Sequence, residues 1–115
     1  MRTTPMPSVN RRHGPRMEVL MMVRVETDLF GSYHCLARNL SSGGMFLETP
    51  DPLPLGTPVR VHFSDGHEDI VARGMVRNHY FLNWFDATGP RAMAGMSVVF
   101  NGFEAGLDCL RRMLH

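Results

Sequence analysis

A two-residue alternation of apolar and polar side chains recurs along this chain and limits its possible folds more than any other feature. Met17, Val19, Met21, Val23 and Val25 share one side of a pleated strand, with Glu18, Arg24 and Glu26 on the other. Successive strand side chains point to opposite faces, so this run reads as a strand with one face in a core and one in water. Asp28-Leu29-Phe30-Gly31-Ser32 reads as a turn, and Tyr33 to Leu40 as the antiparallel partner. Gly43-Gly44 allows a tight bend or bulge before a short strand, Met45 to Thr49. Pro50, Pro52, Pro54 and Gly56 then form a breaker-rich loop.

The alternation resumes at Val59, Val61 and Phe63, interleaved with Arg60, His62 and Ser64. Asp65-Gly66 is a hairpin signal, Ile70 to Tyr80 reads as a longer strand, and Gly95 to Phe100 closes the series. The period then changes. Phe103, Leu107, Leu110 and Leu114 recur at helical spacing, Asn101 and Glu104 resemble a capping box, and Arg111 and Arg112 suit a helix C-terminus. This predicts a helix over 102–114. Six short strands and one helix point to an all-β fold, a six-stranded antiparallel barrel plugged at an end or side by the C-terminal helix.

A chain of 115 residues supports a single core. Residues 1–10 hold prolines, threonines and a serine without periodicity and read as a tail, leaving 11–115 as the domain. The formal net charge is +1, so no global field draws the chain to a nucleic-acid polymer. No run nears the roughly 18 apolar residues of a membrane span, and residues 1–7 lack the apolar run of a secretory signal. The expectation is a cytoplasmic protein without membrane insertion. Cys35 and Cys109 stand far apart and read as buried free thiols. The six histidines show neither HxH nor HExxH spacing, so no metal site is expected. Without an acid–base pair, an activated nucleophile or a metal cluster, the chain reads as a non-enzyme that needs no cofactor.

Two polar segments stand apart from this scaffold. The first is Arg11-Arg12-His13-Gly14-Pro15-Arg16, a loop leading into the first strand; the second is Asn39-Leu40-Ser41-Ser42-Gly43-Gly44, at the junction of the second and third strands. Guanidinium forks grip phosphate or the O6/N7 edge of guanine, and their flat faces stack on bases. Asn and Ser add neutral hydrogen bonds, and glycine lets backbone approach a ligand. Together they suit a planar, anionic ligand.

These segments also carry a resemblance. Arg11, Arg12 and Arg16 form RRxxxR, and Asn39, Ser41 and Gly44 form (D/N)xSxxG, in the order and all-β setting of PilZ domains. The stretch Gly95 to Phe100 is similar to that family's last strand, and the resemblance runs from about Arg11 to Leu114. It implies a PilZ-like split barrel that binds cyclic di-GMP, a bacterial second messenger, and signals to an output protein in motility, exopolysaccharide or biofilm control. By match to the family motifs, Arg12 and Arg16 would bind phosphate and the guanine Hoogsteen edge. Arg11 would stack or add a third contact, Asn39 and Ser41 would bond the second base or a phosphate, and Gly43 and Gly44 would keep that surface open. Ligand would then order the arginine loop onto the barrel. The alternative is a PilZ-like protein–protein adaptor that does not bind nucleotide. Tyr80, Phe81, Trp84 and Phe85 read either as a strand end and loop packed on the barrel or as a partner surface. Monomer and homodimer both stay open.

Overall fold

The computed structural model describes residues 16–115. Arg11, Arg12 and the tail at 1–10 therefore lie outside the described residues. Among the described residues, six strands, β1 (Arg16–Glu26), β2 (Ser32–Ser41), β3 (Gly44–Glu48), β4 (Pro58–Ser64), β5 (Asp69–Asp86) and β6 (Gly89–Ala105), precede one helix, α1 (Leu107–Met113). They form a closed barrel in the order β1-β2-β3-β6-β5-β4, with all pairings antiparallel. Pairing of Val25 with Val61 joins β1 to β4 and closes it. Register shifts in β1·β2, β2·β3 and β5·β6 supply the local bends and extra twist that closure requires.

The alternating residues do what their period implies. Val23 and Val25 of β1, Leu40 of β2, Met45 and Leu47 of β3, Val61 of β4, Ile70 of β5 and Val98 of β6 all enter one core. Each such side chain contributes about 1.5–3 kcal/mol by leaving water. α1 is too short to hold on its own, and it is anchored by burying Cys109 and Leu110.

The helix is shorter than the predicted 102–114. Residues 102–105 belong to β6, where Ala72 pairs with Phe103 and Phe100 packs edge-on against Phe103. The expected capping box does not form. Arg60 Nε donates to Glu104 Oε2 at 2.8 Å, and the helix begins at Gly106, whose φ of 84° breaks the strand and starts the turn. Glycine is favoured there because that left-handed conformation strains any other residue. β5 and β6 also exceed their predicted limits of Tyr80 and Gly95, running to Asp86 and from Gly89 as one long ribbon.

The barrel has two distinct ends. At one lie the start of β1, the β2–β3 turn, the β4–β5 turn and α1; at the other lie the β1–β2 and β3–β4 loops. From that second end the β5–β6 ribbon projects past Glu48, the last residue of β3, which pairs with Gly95.

Candidate ligand-binding surface

Arg16 opens β1, and its Cα partner is Ser41. The chain thus enters the barrel beside the Asn39–Gly44 segment. The structure brings Arg16, Asn39, Ser41, Gly43 and Gly44 to one end of the β1·β2·β3 sheet.

Within this group the side chains are used unequally. Ser41 is only 1% exposed. Its Oγ accepts from the Gly43 N–H at 3.1 Å and donates to the Gly44 carbonyl at 3.4 Å. A serine hydroxyl that bonds backbone two residues on is a turn former. Phe100 N–H donates to the Gly43 carbonyl at 2.8 Å and pins the same turn onto β6. A Cβ on Gly44 would lie 2.2 Å from the Val98 carbonyl oxygen. Gly44 thus permits a close approach between β3 and β6. Asn39 is 8% exposed.

Cross-strand partners share a face of a sheet. The register sets Glu18 against Asn39, Asn39 against Phe46, Phe46 against Ser97 and Ser97 against Asn78. Phe46 lies between the core residues Met45 and Leu47, so this row faces outward. Phe46 is nonetheless 1% exposed, covered by Tyr80, whose ring meets it edge-on at 5.6 Å between centroids. Asn78 Nδ2 donates to Ser97 Oγ at 3.4 Å. Counting across the turn from Ser41↔Gly44 leads to Asn39↔Phe46, a signal present in the sequence but not used there. Glu18 is exposed and pairs with Asn39 across β1 and β2, which places a negative charge at this end of the sheet.

Further along the outer surface, Arg38 donates to Glu48 at 2.7 Å, and Arg91 pairs with Asp86 at 3.1 Å. Arg38, Glu48 and Arg91 line an open groove with Leu82, Trp84 and Met93. Tyr80 is half-buried, whereas Phe81, Trp84 and Phe85 are exposed and belong to the ribbon rather than to a loop folded on the barrel.

Burial pushes the Cys35 thiol up to about 11 and the Tyr33 phenol to about 12. Cys35 is thus a protonated, inert core thiol at neutral pH. Among the described residues, no group of three or more His, Cys, Asp and Glu side chains is arranged to hold a metal. No helix among them is long and apolar enough to cross a membrane.

A small closed antiparallel barrel, entered through an arginine beside a Ser–Gly turn and followed by one short helix, defines the structural class. The profile of the PilZ domain matches residues 10–109, and the chain belongs to the PilZ domain family. No curated relative matches the sequence. Among solved structures, the fold is similar to the Bacillus subtilis inhibitor of motility MotI/DgrA, with 19% identity and a TM-score of 0.63 over 87% of this chain and 50% of that one. It is also similar to the PilZ domain of YcgR from Escherichia coli with c-di-GMP, at 13% identity and TM-score 0.66, covering 86% and 85% of the two chains. The K. pneumonia MrkH–c-di-GMP complex gives 16% identity and TM-score 0.66, covering 87% and 49%. The chain therefore spans about half the length of MotI/DgrA and of MrkH.

Proposed function

We propose that this chain is a cyclic di-GMP receptor, a binding module rather than an enzyme, acting in the cytoplasm. On this reading it passes ligand occupancy to a separate output protein in motility, exopolysaccharide or biofilm control. The observation that carries the reading is the pairing of Arg16 with Ser41, which places the start of β1 against the Asn39–Gly44 turn. Chain connectivity limits Arg12 to within about 14 Å of Arg16, so both halves of the arginine motif serve the same barrel end. Similarity to folds solved with c-di-GMP supports the choice of ligand.

Arg11, Arg12 and Arg16 supply the forks that phosphates and guanine edges accept, and Asn39 supplies a polar group at the inner margin of the site. Ser41, Gly43 and Gly44 act by shaping the turn that holds Asn39 and the end of β2 in place. Ligand draws the Arg11–Arg16 segment onto this surface, and the altered surface is what the output protein reads.

Calorimetric titration tests the proposal. Cyclic di-GMP is expected to give saturable heat and cyclic di-AMP none, because adenine presents an N6 donor where guanine presents the O6 acceptor that arginine reads. Absence of heat with cyclic di-GMP would overturn the receptor reading in favour of a nucleotide-free adaptor.

A further inference from the structure

The β5–β6 ribbon carries a feature that ligand binding does not explain. β5 is paired with β4 up to Met75↔Pro58, and Val76 still bonds Gly56 and Thr57 through its backbone. From Arg77 to Asp86, no strand among the described residues pairs with that edge of β5. The edge is long, and three of its aromatic side chains are turned to solvent, Phe81 at 70%, Trp84 at 42% and Phe85 at 80%. Soluble proteins normally protect such an edge with proline, a bulge or charge.

The other edge of the same ribbon is protected. There β6 carries Pro90, which lacks an N–H, and Gly89, while Thr49 N–H donates to the Ala94 carbonyl at 3.0 Å. Among the described residues, this leaves the β5 edge of the ribbon as the template for another strand.

We propose that this edge is a self-association surface, on which two copies pair their β5 strands antiparallel about a two-fold axis that sets Asn83 of one copy opposite Asn83 of the other. An axis normal to the ribbon keeps every side chain on its own face, so the centre must fall on a residue. Centring on Phe81 leaves Phe85 facing Arg77 and Trp84 facing Asn78. Centring on Leu82 sets Phe85 against His79 and Phe81 against Asn83. Centring on Asn83 pairs Phe81 with Phe85 of the second copy on one face, and Leu82 with Trp84 of the second copy on the other.

The area suits a weak dimer. The three aromatic side chains expose roughly 400 Å² per copy, and edge-to-edge pairing covers only their inward sides, so the interface falls below the roughly 1,200 Å² of stable complexes, in the range of transient ones. This docking is isologous, hence closed, and does not propagate into fibres. It lies at the opposite end of the barrel from Arg16 and requires no nucleotide.

Sedimentation equilibrium of the full chain, from about 1 to 200 μM, provides the test, with a reversible dimer of Kd on the order of 10 μM expected. Phe81→Lys and Phe85→Glu should each weaken self-association at least tenfold, with thermal unfolding unchanged because both rings are exposed. Mixing the two variants should restore association, since the introduced ammonium of one chain then faces the introduced carboxylate of the other, while the retained Phe85 and Phe81 still face each other. A wild-type chain that stays monomeric, variants that still dimerise, or a mixture that fails to associate would each overturn the proposal.

Discussion

Replacing Arg16 by alanine should weaken cyclic di-GMP binding by about 5- to 150-fold, the roughly 1–3 kcal/mol of a bidentate arginine–guanine or arginine–phosphate contact. The expectation rests on position as well as on residue type. Arg16 is the first residue of β1, and pairing with Ser41 fixes its backbone, so its side chain starts from a rigid strand. A preorganised fork loses less entropy on binding than one that must first be ordered. Because Arg16 is exposed and stands at the first position of β1, the variant should keep its thermal midpoint within about 2 °C of wild type. Calorimetry on the folded variant separates the two effects. Affinity within about twofold of wild type would remove Arg16 from the site.

Gly44→Ala should have the largest effect on stability. The added methyl would lie 2.2 Å from the Val98 carbonyl oxygen, a backbone atom held in the β3·β6 ladder. No rotamer change can relieve that contact, so β3 and β6 must separate just where the Phe100–Gly43 bond pins the turn. Overpacking a rigid site costs about 1–3 kcal/mol, and a backbone clash belongs at the upper end. In a domain of this size that lowers the thermal midpoint by roughly 10 °C or more, measurable by calorimetry or circular dichroism. A variant of unchanged stability that lost cyclic di-GMP binding would mean that Gly44 serves the ligand and not the sheet.

Much of the barrel was legible because one-sided burial imposes a period of two. β1 through β4 lie within a residue or so of the limits set by their alternating Val, Met and Phe positions. The ribbon was not legible because both of its faces meet solvent. With no core side to select apolar residues, Tyr80 to Asp86 has no alternation to read. The helix boundary failed for another reason. Phe103 lies four residues before Leu107 and fits a helical spacing by coincidence, but Gly106 separates the strand residue from the helix.

The site was legible in part. Placing the Asn39–Gly44 segment at the β2–β3 junction brought it beside the start of β1, since antiparallel neighbours joined by a short turn must align. What spacing could not separate were the two uses of Ser and Gly, as ligand contacts and as turn formers. In the structure the buried Ser41 hydroxyl bonds the turn backbone, and Gly44 lies close against Val98 of β6.

Backbone amide chemical-shift mapping during titration with cyclic di-GMP tests the central claim most directly. The largest shifts are expected at Arg16 to Glu18 and Asn39 to Gly44, with the Arg77–Asp86 ribbon unchanged at monomeric concentrations. Shifts confined to the ribbon or to the β1–β2 and β3–β4 loops, or no shifts at saturating nucleotide, would contradict a ligand site at the start of β1.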